Sequence, residues 1–318
     1  EALKRGLNDG GVNTCDIGMC GTEMTYFAAG RTGMGGAVMV TASHNPMDYN
    51  GMKLVKSGAV PISGDSGLNE LERKVRTDDL GPKAEVKGTN KHEDLTDEYI
   101  SKLISFVDVE KIKPMKVVVN AGNGCAGPFL DKLEQCLPVE FVKVNHEPDG
   151  NFPNGIPNPL LEENREATAK PVKDNHADLG IAWDGDFDRC FFFDENGDFA
   201  DGYYMVGLFA SHILRNYPGA KIIHDPRMTW NTIEMVKEAG GIPVQSKTGH
   251  AFVKERMRKE DAVYGGEMSA HHYFRDFTYC DSGMIPWLLL VEQMSVTGKK
   301  LSELIKERRV KYPSSGEI

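Results

Sequence analysis

Ser43 stands in the run Thr41-Ala42-Ser43-His44-Asn45-Pro46, just after an apolar stretch, and Lys53 follows ten residues on. The proline forbids the strand from continuing, so the serine hydroxyl is presented on a tight loop beside an imidazole. A lysine nearby supplies a point charge suited to a phosphate or a developing oxyanion. Ser, Asn and Pro are also ordinary turn formers. Taken locally, a reactive serine and a plain turn both remain open.

A second run is Asp184-Gly185-Asp186-Phe187-Asp188-Arg189. Read as an extended segment, its three carboxylates point to one side. They would repel one another unless a cation sat among them, and hard oxygen ligands suit Mg2+ or Ca2+. A calcium loop would use Glu195, the twelfth residue from Asp184, but it fails at Arg189, where such a loop needs glycine. It fails again at Cys190-Phe191-Phe192-Phe193, which reads as an apolar strand. An aspartyl phosphatase using Asp184 is disfavoured because Asp188 stands where that chemistry usually places threonine.

Three glycine-bearing runs follow strands. Gly122-Asn123-Gly124-Cys125-Ala126-Gly127 matches the dinucleotide fingerprint, with Glu147 near the expected acid. Pro128 opens the next helix, and a tight strand-to-helix turn is the preferred reading over a nicotinamide-dependent dehydrogenase. Lys247-Thr248-Gly249-His250 leads into a helix whose N-terminus can receive an anion, although His250 also reads as a surface residue at a helix start. Gly265 to His272 gathers Glu267, Ser269 and His271, the mixed donors and acceptors that sugar hydroxyls need. The plain alternative is a strand-end turn.

These runs need elements to hold them. Helical and strand periodicities alternate along all 318 residues, which implies α/β domains with parallel or mixed sheets. Strands are expected at 36–42, 51–56, 116–120, 139–145, 179–183, 190–193, 221–224, 242–246 and 262–264. Helices are expected at 96–107, 128–137, 161–176, 202–216, 229–239 and 250–260, with a long one from about residue 282. Residues 78–97 read as a linker, and Asn196-Gly197 as a hairpin turn. Every motif then falls beyond the carboxyl end of a strand, where ligands gather in such sheets.

Composition narrows the function. Hydrophobic residues make up 40% and charged ones 26%, as in a globular protein with real cores. A net charge of -10 argues against nucleic acid as a partner but leaves room for a small phosphorylated ligand in a local basic pocket. No apolar run is long enough to span a membrane, and no signal peptide is visible, so a cytoplasmic location is expected. The cysteines Cys15, Cys20, Cys125, Cys136, Cys190 and Cys280 contain no C-x-x-C pair and read as reduced, buried thiols. The chain opens on Glu1 and ends abruptly in the run Tyr312-Pro313-Ser314-Ser315-Gly316-Glu317-Ile318, which reads as a fragment.

Together the runs at 41–46, 184–189 and 266–269 resemble the α-D-phosphohexomutase family, in the family's order and spacing and across the whole chain. The resemblance implies three related mixed-sheet α/β domains around a cleft: residues 1–92, 93–200 and 201–312. It also implies that the first lacks its N-terminal strand and that 313–318 begin an absent fourth domain. It implies that Ser43 carries the phosphoryl group and ligates the metal through it, with Asp184, Asp186 and Asp188 as the other ligands of Mg2+. Arg189 would face the phosphoserine or substrate, and Lys53 and His250 would move protons. Thr248, Gly249, Glu267, Ser269, His271 and, by a looser match, Arg227 would bind a hexose phosphate. Met268 after Glu267 resembles mannose-using members more than glucosamine-using ones. The expected activity is therefore reversible interconversion of mannose 6-phosphate and mannose 1-phosphate, with glucose-using or dual-specificity mutases as the alternative. A non-catalytic sugar-phosphate binder is a further one. The oligomeric state is left open.

Overall fold

The structure, a computed structural model, describes residues 1–314. The last four residues, part of the segment expected to open a fourth domain, lie outside the described residues.

The N-terminal unit contains α1 (Ala2–Asp9), β1 (Thr14–Asp16), α2 (Thr22–Ala29), β2 (Gly36–Val40), β3 (Met52–Lys56), β4 (Val60–Pro61), α3 (Asn69–Arg76) and β5 (Asn90–His92). Its strands form two separate sheets: β1 pairs parallel with β5, and β2, β3 and β4 form an antiparallel meander. A groove of about 1150 Å3 is flanked by β1 and β2, lined by Leu3, Leu7, Val38, Leu54 and Ile62, and reaches Ser43 and Asp186.

The middle unit contains α4 (Thr96–Ile104), β6 (Met115–Asn120), α5 (Gly127–Glu134), β7 (Val139–Val144), α6 (Glu166–Asp174), β8 (Leu179–Trp183), β9 (Cys190–Phe193) and β10 (Phe199–Ala200). Its sheet runs β10-β9-β8-β6-β7, with β6, β7 and β8 parallel and the β9–β10 hairpin antiparallel. Strand β8 is buried at every residue, as its unbroken apolar run requires of a strand covered on both faces.

The third unit contains α7 (Gly202–Ile213), β11 (Lys221–His224), α8 (Trp230–Glu238), β12 (Ile242–Gln245), α9 (His250–Glu260), β13 (Tyr264–Gly266), β14 (His272–Phe274), β15 (Cys280–Asp281), α10 (Ile285–Thr297) and α11 (Leu301–Lys311). Its sheet runs β12-β11-β13-β14-β15. Helix α10 is apolar on nearly every side and buried from Ile285 through Ser295, which is what a helix must be to sit inside a molecule. One apolar cluster, running from Met24 through Leu133 and Trp183 to Ile305, joins all three units.

The expected alternation of strand and helix is borne out, and so is the mixed-sheet α/β class. Three readings need correction, and three helices lie where none was expected. The segment read as a linker contains β5, an exposed polar strand of three residues that carries no periodicity of its own. Helices α1, α2 and α3 carry no expectation from the sequence. The long helix from about residue 282 is two helices, divided at Gly298, whose φ of +66° ends the first. Finally, the six thiols are free, but Cys136 is exposed and Cys15 and Cys125 are only half-buried.

Candidate active site

Ser43 leaves β2 through Thr41 and Ala42 and takes a left-handed φ of +54°. Its own N–H donates to Thr41 Oγ1 at 2.9 Å, which holds the turn. The hydroxyl lies 2.9 Å from His44 Nδ1 and donates to Asp184 Oδ2 at 3.0 Å. The serine loop of one unit thus touches the acidic loop of the next.

That acidic loop is not the extended segment expected from sequence. It is a turn, with Phe187 at φ +44° and the Phe187 N–H donating to the Asp184 carbonyl at 3.1 Å. The three carboxylates converge all the same: one oxygen from each lies within 4.8 Å of the others. All three are essentially buried, at 0–2% exposure. Asp184 also accepts from Arg189 Nε at 2.8 Å. Asp186 Oδ2 accepts from Thr22 Oγ1 at 2.6 Å, Thr41 Oγ1 at 3.0 Å and Lys53 Nζ at 2.9 Å. Asp188 Oδ2 accepts from Lys53 at 2.6 Å.

Burial pushes the Asp184 carboxyl up to about 6; Arg189 opposes this, and the neighbouring Asp188 and Asp186 add to it. Asp188 goes the other way: burial is outweighed by Lys53 and His271, which hold it well below the usual carboxylate range. Burial likewise opposes charge on Lys53, yet Asp188 and Asp186 hold its ammonium well above the ordinary lysine range. Lys53 is therefore a fixed positive charge.

The residues fit a metal ion. Three buried carboxylates converge on one point, and Lys53 and Arg189 pair with them only at their Oδ2 atoms. Asp186 Oδ1 and Asp188 Oδ1 are buried without a hydrogen-bond partner, and a buried carboxylate oxygen left bare is costly unless something positive meets it. Arg189 Nη2 is likewise buried and unpartnered, a donor aimed at nothing in the protein.

Glycine makes this convergence possible at two positions. A Cβ on Gly185 would lie 2.4 Å from the Ser43 carbonyl oxygen, and one on Gly124 would lie 2.6 Å from the Gly185 carbonyl oxygen. The Gly122–Gly127 run is therefore a packing turn, as preferred from sequence: the Cys125 N–H donates to the Gly185 carbonyl at 2.9 Å. Gly124→Ala should destabilise the protein by ~1–3 kcal/mol through overpacking against backbone that cannot turn aside. Urea denaturation of the purified variant measures this, and an unchanged midpoint would show that the contact is not rigid.

The sugar-loop residues lie on the third unit, across the same cleft. His271 bridges backbone to backbone with Arg189, and its Nε2 lies 3.6 Å from Asp188 Oδ1. Burial opposes the charge on His271, but Asp188 outweighs it and raises the imidazole. Ser269 Oγ lies 2.9 Å from His271 Nδ1. Arg227 pairs with Asp225, whose Oδ2 also accepts from the Met268 N–H at 3.1 Å and so ties the Arg227 turn to the sugar loop. Thr248 and His250 are exposed at the start of α9, and Gly249 has a φ of +115°. Crowding by the surrounding protein pushes the His250 imidazole down to about 4, with the Lys254 charge adding to it. Glu267 is 1% exposed, and its oxygens accept from the Gly249 N–H at 2.7 Å and from Tyr273 Oη. Sequence reasoning did not single out Thr22, Thr41 or Asp281. Thr22 and Thr41 hold Asp186, and Asp281 lies with Asp188 and His271 in a second tight group. Thr41 was visible only as a neighbour of Ser43.

Family models for phosphoglucomutase/phosphomannomutase α/β/α domains I, II and III match residues 1–81, 97–197 and 201–312. The chain belongs to this family. A phosphomannomutase of Vibrio cholerae is 60% identical over all of this chain and 70% of its own length. A phosphomannomutase of Escherichia coli strain K12 is 58% identical over all of this chain and 71% of its own. The crystal structure of a phosphoglucomutase/phosphomannomutase family protein from Burkholderia thailandensis superposes with a TM-score of 0.88 at 34% identity, covering 96% of this chain and 67% of that one. The family identified from the three sequence motifs is thus the family to which the chain belongs. Among the described residues, no helix is long and apolar enough to cross a membrane.

Proposed function

We propose that the protein is a phosphomannomutase that interconverts mannose 6-phosphate and mannose 1-phosphate through phosphoserine 43 and a hexose 1,6-bisphosphate. The observation that carries this reading is the shared Asp184 Oδ2, which accepts from both Ser43 Oγ and Arg189 Nε inside a buried carboxylate cluster. The relatives named phosphomannomutase support the mannose substrate.

In the first transfer the bond between phosphorus and Ser43 Oγ breaks, and a bond forms between phosphorus and a sugar hydroxyl oxygen. The hydroxyl proton passes to a base and ends on Ser43 Oγ. Lys53, held in its charged form, and the neutral His250 imidazole are the groups proposed to move that proton. The second transfer reverses these roles with the other phosphate of the bisphosphate. Lys53 and Arg189 supply fixed positive charge, and the unpartnered Arg189 Nη2 is free to donate to a phosphoryl oxygen. Asp184, Asp186, Asp188 and the phosphoserine would hold Mg2+, which when bound neutralises negative charge on the phosphoryl group. Glu267, Ser269, His271, Thr248, Gly249 and Arg227 would orient the hexose phosphate, with Glu267 also holding the Gly249 N–H. A cytoplasmic location fits six free cysteines.

The test is a coupled assay with Mg2+ and a trace of hexose 1,6-bisphosphate, run on mannose 1-phosphate and glucose 1-phosphate side by side. Mannose 1-phosphate is expected to give the higher kcat/KM. Faster turnover of glucose 1-phosphate would move the assignment to a phosphoglucomutase, and no turnover of either would overturn it.

A further inference from the structure

Glu23 is a fully buried carboxylate that the phosphoryl chemistry does not use. It sits in the first turn of α2, in the N-terminal unit, and every partner it has comes from the other two. Its Oε1 accepts from Tyr99 Oη on α4 and from Ser282 Oγ at 2.8 Å. Its Oε2 accepts from the N–H groups of Gly283, at 2.6 Å, and Met284, at 3.3 Å, in the turn that opens α10. Four donors on one buried carboxyl leave it fully satisfied, and such a network specifies one arrangement of the groups that make it.

The same contacts run in a closed circuit around the acidic loop. Next to Glu23, Thr22 grips Asp186 twice: its N–H donates to the Asp186 carbonyl at 3.0 Å and its hydroxyl to Oδ2 at 2.6 Å. On the other side, the Gly283 carbonyl accepts from Trp183 Nε1 at 2.8 Å, and Trp183 is the residue just before Asp184. Between the two grips, the Phe187 ring packs where a Cβ on Gly21 would lie 2.3 Å away, and the Phe187 carbonyl lies 2.3 Å from where a Cβ on Gly283 would stand. Both ends of the loop from 183 to 187 are therefore held by groups that meet at Glu23.

We infer that Glu23 is a positioning residue: its carboxyl clamps the three domains together so that Thr22 and Gly283 fix the acidic loop in register with Ser43. The contacts, rather than a charge, do this. Burial pushes the Glu23 carboxyl up to about 8 against the pull of its donors. Glutamine can keep its oxygen on the Gly283 and Met284 N–H groups while its NH2 donates to the hydroxyls of Tyr99 and Ser282, which can accept as readily as donate. The inference rests on the metal-site reading of the acidic loop but not on the mutase reaction.

The experiment compares wild type with Glu23→Ala, Glu23→Gln and Tyr99→Phe, each first shown to be folded by circular dichroism at the working temperature. Mg2+ affinity is read by calorimetry and hydrogen exchange at 183–189 by mass spectrometry, with the mutase assay giving kcat and KM separately. Glu23→Ala is expected to lose about ten-fold in Mg2+ affinity, equivalent to ~1.4 kcal/mol. It should also exchange faster at 183–189 and lose kcat with KM nearly unchanged. Tyr99→Phe should show the same changes at smaller size, and Glu23→Gln should recover most of the wild-type values. If Glu23→Ala does not fold, Tyr99→Phe decides. Folded variants with wild-type Mg2+ affinity and wild-type exchange at 183–189 would overturn the inference, and so would Glu23→Gln behaving as badly as Glu23→Ala. If the mutase reading itself were wrong, turnover would be absent in every protein while affinity and exchange still separated the variants.

Discussion

Ser43→Ala is expected to abolish the phosphoenzyme and lower mutase turnover by ~10^4-fold or more, the scale on which removal of a single nucleophile acts. The fold should survive. Serine and alanine both carry a Cβ, so the left-handed φ of +54° costs the same in each. What goes is the hydroxyl and its two contacts, to Asp184 Oδ2 and His44 Nδ1, together ~1–2 kcal/mol of stability at most. Mg2+ should still bind to the three carboxylates, though more weakly without the phosphate oxygen. Intact mass after incubation with hexose 1,6-bisphosphate, followed by phosphosite mapping, reads the first effect, and the coupled assay reads the second. Full turnover in this variant would remove Ser43 from the mechanism.

Asp186→Asn should be nearly as damaging, for a different reason. Asp186 Oδ1 is one of the two bare carboxylate oxygens in the cluster, and loss of its charge should weaken Mg2+ binding by ~100-fold or more while turnover becomes undetectable. Asparagine keeps a carbonyl oxygen for the Thr22 and Thr41 hydroxyls, and Lys53 keeps Asp188 as its partner. The metal-free variant loses one of three mutually repelling buried charges. Its thermal midpoint without Mg2+ is therefore expected to equal or exceed the wild-type value, while the stabilisation produced by added Mg2+ disappears. Calorimetric titration and paired melting curves measure both. A variant that still binds Mg2+ like wild type would place the ion elsewhere.

The chemistry of the site was legible in the sequence because each part is a short local run. Ser43 with its proline, the three aspartates two residues apart, and the mixed polar loop at 265–272 each announce a reactive group without help from distant residues. The α/β class was legible too, since the alternation of periods survives any arrangement of the domains. Short polar pieces were not: β5 and α3 are exposed along their whole length, β5 held by its pairing with β1 and α3 carrying ion pairs of Glu70 with Arg73 and Glu72 with Arg76, so neither buries an apolar stripe in a core. That the carboxylates meet was legible in their spacing, but the route by which they do was not. They converge through a turn with Phe187 in the left-handed region, and only the close approach of the Ser43 carbonyl explains why Gly185 must be glycine, as that of Gly185 explains Gly124. Glu23 lies on α2, where the sequence raised no expectation, and its partners stand at Tyr99 and Ser282–Met284, 76 to 261 residues away. Charge and hydrogen bonding act over a few ångströms of space, so only the tertiary structure decided which distant donors a buried carboxylate would find.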